Sequence, residues 1–217
     1  MDKGQLKVTR FTLKKIKGLY IYLLDKYLSE LELKKYNISS SNNIQSANID
    51  VRAIKGNNIT VLKGSVICEK SEIDSYTFIG FNALISKTII GRYNSIANNV
   101  NIGHGEHPLH FISTSSFINE TPYNVLTEKD CIITHDVWIG SGATIRRGVT
   151  LGIGSIIGAN AFVNKDVPPF AVVGGVPAIV LKHRFPQEKI DRILASKWWE
   201  QDPIQAKLII NQLEKEG

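Results

Sequence analysis

The hydrophobic positions of this chain recur with a period of six. From Ile133 onward, aliphatic side chains stand at Ile133, Ile139, Ile145, Leu151, Ile157 and Val163. Two residues ahead of each later one comes a small or aliphatic residue: Val137, Ala143, Val149, Ser155 and Ala161. A six-residue period suits neither an amphipathic helix, which repeats every 3.6 or so, nor an alternating strand. It predicts a β-solenoid, whose short units each bury one side chain and stack on their neighbours. The same phase runs through Val61, Ile67, Ile73, Ile79 and Ile85, then one residue early through Ile90, Ile96 and Ile102. In that stretch the accompanying positions are Ser65, Ser71, Thr77, Ala83 and Ile89, and the early step predicts a local kink. All fourteen inward positions are Ile, Leu or Val. Chance does not produce that.

Elsewhere the pattern changes. From Phe11 to about Tyr36, Leu13, Ile16, Leu19, Leu23, Leu24, Tyr27, Leu28 and Leu31 follow helical spacing, with a break expected near Gly18. Residues 37–60 are rich in Asn and Ser and predict irregular capping strands. Residues 1–60 are thus an amphipathic helix and cap, 61–178 the solenoid, and 179–217 a helical tail anchored by Trp198 and Trp199. Between Ile102 and Ile133 the phase vanishes. Residues 103–131 are expected to project from the scaffold as a functional loop.

Composition adds compartment and partners. Charge totals +6, and residues 1–35 alone hold nine Lys/Arg against four Asp/Glu. A basic excess points to anionic partners, but its place at one end argues against a nucleic-acid groove in the main body. Two readings of the helix stay open: docked on its own domain with a solvated basic face, or in peripheral contact with a membrane. Cys68 and Cys131 form no CxxC pair, no signal peptide is visible, and no run of about 18 apolar residues occurs. A cytoplasmic protein is expected.

The loop holds three histidines, His104, His107 and His110, each suited to act as a base near neutral pH. Serine and threonine are plentiful at 113–116, yet nothing pairs one with a base as a covalent nucleophile. His135, inside a repeat turn, reads as an exposed coil residue.

Together the hexapeptide phase, the GEHPLH loop, DVWIG, GVTLGIGSIIGANAFVNKDVPP and GGVPA resemble the hexapeptide acyltransferases. GRYNSI, EHPLHFISTSSF and the tail RFPQEKIDRILASKWWE are similar to its xenobiotic acetyltransferase branch and sugar O-acetyltransferase relatives. The resemblance spans roughly residues 61–200. It implies a left-handed parallel β-helix, a homotrimer with active sites between subunits, and acetyl-CoA as co-substrate, with no metal. It makes His107 the general base, with His110 orienting it or touching the acceptor. It sets Trp138 and Ser141 along the pantetheine arm, and Ala159 and Asn164 at backbone contacts. Lys165, Lys182 and Arg184 would meet the phosphates, although a solvated basic turn explains Lys182 and Arg184 equally well.

For the acceptor, Ser113 to Ser116 and Asn119, with Tyr93 and Asn94 on the preceding coil, lean polar. The preferred reading is therefore O-acetylation of a carbohydrate hydroxyl by direct transfer. An antibiotic of the streptogramin or chloramphenicol type is the alternative. More distant is a zinc-dependent γ-type carbonic anhydrase, invited by HxxHxxH at 104, 107 and 110.

Overall fold

A computed structural model describes residues 3–68, 70–120 and 122–215, with side chains for all of these except 3–16, 25, 26, 123 and 124. The chain divides into two compact units, residues 1–41 and 42–217. In the first, helix α1 (Lys3–Ser39) runs through Gly18 without the expected break. One glycine costs a helix only about 1 kcal/mol, which the surrounding turns outweigh. Leu13, Ile16 and the Lys14–Lys15 pair lie outside the described side chains. Leu19, Leu23 and Leu28 are exposed at 59%, 53% and 49%. No described helix is long and apolar enough to cross a membrane.

The second unit is a parallel β-solenoid with three faces. The first face stacks Asn43–Ile44, Thr60–Val61, Phe78–Ile79, Ser95–Ile96, Trp138–Ile139, Ile156–Ile157 and Ala171–Gly174. The second stacks Val66–Ile67, Leu84–Ile85, Asn101–Ile102, Thr144–Ile145 and Phe162–Val163. Glu72–Ile73, Thr88–Ile90, Cys131–Ile133 and Thr150–Leu151 make the third. Every one of the fourteen phase positions ends such a strand and is at most 2% exposed. Register places like on like, as in Ile79, Ile96, Ile139 and Ile157. Each burial is worth about 1.5–3 kcal/mol, and the rows sum along the axis.

Turn positions follow the same logic with polar exceptions. Ser65 is fully buried because its hydroxyl donates to the Gly80 carbonyl (2.8 Å) and accepts from the Ala83 amide (3.1 Å). Ile89 breaks the expectation: it is exposed, and Thr88 is buried in its place. The five-residue block before Ile90 moves the inward turn position back by one, and the ladder continues through Glu72 opposite Ile89.

The solenoid also starts earlier than the six-residue phase marks. Asn43–Ile44 pairs with Thr60–Val61, and Ile49 and Ile54 bridge Ile67 and Ile73. These inward residues are five apart, so a search at six passes over them. Asn42, buried, seals that end by accepting the Ile59 amide hydrogen bond (2.8 Å) and donating to the Gly56 carbonyl (3.2 Å).

At the other end Ile179–His183 turns back antiparallel to Ala171–Gly174. The tail then adds α4 (Gln187–Ser196), a 3-10 turn at Trp198–Glu200, and α5 (Pro203–Lys215). Trp198 and Trp199 are buried against Phe170, Ile153, Ile190, Ile193 and Ala206, as packing anchors should be.

Candidate functional site

The loop leaves the solenoid at the edge between the second and third faces, after Ile102 and before Cys131–Ile133. Gly103 makes the exit: its φ is +66°, and a side chain there would meet the Ser86 carbonyl oxygen at 2.5 Å. Two short helices, α2 (Ser116–Asn119) and α3 (Tyr123–Leu126), are the loop's only regular elements among the described residues. Side chains of the coil pin both stems. Lys87 donates to the Thr127 and Glu128 carbonyls (2.7 Å each), and Arg147 donates to the Lys129 carbonyl (3.1 Å) and the Ser86 hydroxyl (3.2 Å). Arg146 grips Glu106 with two bonds, Nε–Oε1 at 2.6 Å and Nη2–Oε2 at 2.5 Å. That grip holds the Glu106 carboxyl below the usual glutamate range.

His107 follows directly. Its Nδ1 lies 2.8 Å from the Thr114 carbonyl oxygen. A carbonyl only accepts, so Nδ1 carries the proton and the neutral ring keeps its lone pair on Nε2. His107 lines a cleft of about 450 Å³ with Pro108, His110, Phe111, Asn119 and Glu120. The His110 ring rests 4.2 Å from that of Phe111, forming a small aromatic shelf. Ser113 sits one residue before Thr114, where its hydroxyl accepts from the Ser115 amide (3.1 Å). Behind the cleft, and sharing Glu106, Val125 and Leu126 with it, is a second cavity of about 330 Å³. Asn164, Lys165, Lys129 and Arg146 line this one. Among the described residues, no three His, Cys, Asp or Glu side chains converge as a metal site.

The other expected residues lie on different edges of the prism. Trp138 is exposed on the first face, and Ser141 follows at the first–second edge, its hydroxyl bonded to the Asn98 carbonyl (2.9 Å). Ala159 stacks beside it: a side chain at Gly140 would meet the Ala159 nitrogen at 2.6 Å, so only glycine admits this close approach.

Tyr93, Asn94 and Arg184 occupy the third–first edge, and none faces the loop. Asn94 is 1% exposed, donates to the Gly91 and Thr134 carbonyls, and accepts from the Val137 amide. Its polar groups serve the coil, so it is not an acceptor contact. Tyr93 donates to the Gln201 carbonyl (2.7 Å) and packs against Tyr76 and Trp198. It anchors the tail. Arg184 donates to the Gly154 carbonyl (2.7 Å), pairs with Asp136 (3.3 Å) and covers Phe170 and Phe185, which is not a solvated turn. Lys182 is exposed on the antiparallel strand. His135 is half-buried rather than exposed. It accepts the Arg92 amide hydrogen bond at Nδ1 (3.0 Å) and stacks on Trp199, and burial pushes its pKa down.

No family model matches the chain. A probable macrolide acetyltransferase of Lysinibacillus sphaericus is 36% identical over 135 residues, which covers 57% of this chain and 72% of that protein. The chain belongs to the hexapeptide-repeat acetyltransferases. A chloramphenicol acetyltransferase of Agrobacterium fabrum is 39% identical over 124 residues, 52% of this chain and 59% of that one. The galactoside O-acetyltransferase of Escherichia coli K12 is 36% identical over 112 residues, 51% and 46% respectively. The chain therefore spans less than two thirds of the length of these last two. Among solved structures, AntD, an N-acyltransferase from Bacillus cereus, shares the fold at a TM-score of 0.55, 19% identity, and coverage of 77% and 95%.

The bonds of Glu106 to Arg146 and of His107 to the Thr114 carbonyl are not evident in the sequence. Arg146 sits at a corner position where any exposed residue fits the repeat, and its partner is 40 residues away. The adjacency of Glu106 to His107 was the one available signal.

Proposed function

We propose that this chain is an acetyl-CoA-dependent O-acetyltransferase acting on a hydroxyl of a carbohydrate, with His107 as general base. The observation that carries this reading is the Nδ1 bond of His107 to the Thr114 carbonyl, which leaves Nε2 as the acceptor of a proton at the cleft. Nε2 takes the proton from the acceptor hydroxyl as its oxygen attacks the thioester carbon. The tetrahedral intermediate then collapses, the C–S bond breaks, and the imidazolium returns its proton to the departing thiolate. No acyl-enzyme is needed. The Thr114 carbonyl favours the imidazolium during the step, because it accepts a hydrogen bond that strengthens as the ring gains charge.

The acceptor cleft supports a sugar through its His110–Phe111 shelf, which suits an apolar sugar face, and through Asn119 and Glu120, which suit hydroxyls. A second reading, an antibiotic acceptor, draws on the apolar walls at Pro108, Pro122, Val125 and Leu126 and on the chloramphenicol and macrolide relatives.

The proposed donor contacts divide between edges. Trp138 lies on the first face and Ser141 and Ala159 at the first–second edge, while His107, Asn164 and Lys165 belong to the second–third. Contacts so divided fit one cofactor most simply when they come from neighbouring subunits. That division supports a homotrimer in which the second–third edge of one subunit faces the first–second edge of the next. Lys182 completes the proposed phosphate contacts. The two unbridged thiols support a cytoplasmic setting, and the basic N-terminal segment supports peripheral contact with anionic lipid.

The deciding experiment is thiol release from acetyl-CoA with galactosides, maltose and chloramphenicol as acceptors. Turnover on the sugars alone supports the carbohydrate reading, and turnover on chloramphenicol alone replaces it with the second. Absence of thiol release with every acceptor counts against the activity itself.

A further inference from the structure

Surface ion pairs contribute little to stability, typically below about 1 kcal/mol, because water solvates both partners. The Arg146–Glu106 pair is of that exposed kind, with side-chain exposures of 45% and 38%. Its geometry is nonetheless the bidentate one that fixes both distance and direction. Glu106 is also a crossing point. Its amide donates to the Leu126 carbonyl (3.1 Å), joining the loop's two arms, while its carboxylate is held by a coil residue 40 positions away. The next residue is His107, whose ring reaches Thr114 across the loop. Glu106, with Val125 and Leu126, lines both the cleft and the second cavity, while His107 lines the first and Arg146 the second. Elsewhere the loop stems are held through backbone carbonyls by Lys87 and Arg147, with a longer Lys87–Asp130 contact of 3.6 Å; here the coil grips a loop side chain with two short bonds, next to the base.

We infer that Arg146 and Glu106 are positioning residues that hold His107 in its Nδ1–H tautomer and aim Nε2 into the cleft. The inference rests on the acetyltransferase reading for its catalytic consequence, but its structural half stands apart. When the pair is broken, the Glu106–His107 segment moves relative to Thr114, the Nδ1 bond is lost, and the ring reverts to the Nε2–H form that unconstrained imidazole prefers. The base then presents a proton where a lone pair is required.

Two readouts separate the halves. Long-range ¹H–¹⁵N spectra of the imidazoles, with His107 assigned by its disappearance in His107→Gln, report the tautomer without any turnover. The wild-type protein is expected to show Nδ1–H at His107, and Glu106→Gln and Arg146→Gln to show mainly Nε2–H, while the other histidines stay unchanged. Thiol release from acetyl-CoA with a galactoside, maltose or chloramphenicol is expected to lose about 10- to 100-fold in kcat in both variants. KM for acetyl-CoA should stay within about twofold, and Glu106→Asp should recover part of the rate. An unchanged His107 tautomer in both variants overturns the inference, as does a loss confined to KM. A tautomer change in a protein that releases no thiol upholds the positioning and overturns the assigned activity instead.

Discussion

The solenoid and its loop are held by different physics. In the solenoid each parallel strand contributes at least one inward side chain that is almost completely buried, and the backbone bonds of every coil are made to the coils beside it. Stability there is additive and local. The loop has little buried interior: Leu109, Phe111, Ile112, Phe117 and Ile118 are all exposed. It keeps its shape through a few charged side chains that the coil extends to it. The first region is robust because many equivalent contacts share the load. The second is tunable because few do, and a reactive group gains from being placed where one contact sets its direction.

The largest way to test this division is His107→Ala. We expect thiol release to fall about 10²–10⁴-fold, the usual worth of a general base, with the melting temperature unchanged, because the side chain is exposed. Ile139→Ala should do the reverse. Removing a fully buried side chain costs about 2–5 kcal/mol, or roughly 4–20 °C in melting temperature for a chain of this size, while the protein that remains folded keeps its kcat. Calorimetry beside the thiol assay separates the two cases.

Asn94→Ala sharpens the line between the regions. It strands the Val137 amide and the Thr134 carbonyl in the coil interior and leaves the Gly91 carbonyl with Thr77 as its remaining side-chain donor, at a cost of about 1–3 kcal/mol. Acceptor KM should not move; if KM rises several-fold in a protein of undiminished stability, Asn94 belongs to the site after all.

The smallest effect concerns pH. Burial lowers the folded-state pKa of His135 below its ordinary 6.5, so in that window the unfolded chain binds the extra proton. Its contribution to stability is present above that value and is lost as pH falls through the folded pKa. The Glu106 carboxyl, depressed by Arg146, keeps its charge to lower pH than an ordinary glutamate. Melting curves from pH 7.5 to 5 should show a modest decline that His135→Gln flattens, with the loop tether still intact.

The same contrast explains what could be read from the sequence. All fourteen inward residues were legible because the period demands them one at a time, in order along the chain. Ile44, Ile49 and Ile54 escaped only because their spacing is five. Asn94 is instructive: it stands two residues before Ile96, the phase of Val137 and Ala143, so the repeat already put it inside. Its polar side chain suggested a ligand contact, but the coil uses it as a bonded spacer. His107 stood out through the resemblance of its loop. The Thr114 carbonyl and Arg146 did not, because their roles come from a chain reversal that no local pattern encodes. Nor does the six-residue phase reveal that Ser141, His107 and Arg184 lie on three separate edges; that depends on which face each repeat occupies.

The uninterrupted ladder has an evolutionary consequence. Cys131–Ile133 pairs with Thr88–Ile90 as though the intervening residues were an ordinary corner. The scaffold therefore places no demand on the length or composition of the excursion, beyond a glycine at its exit and a few bonds at its stems. Such an excursion behaves as a cassette. Transplanting residues 104–130 from a relative onto this solenoid should exchange what the protein accepts while leaving the host architecture intact, so new specificities can arise without a new fold.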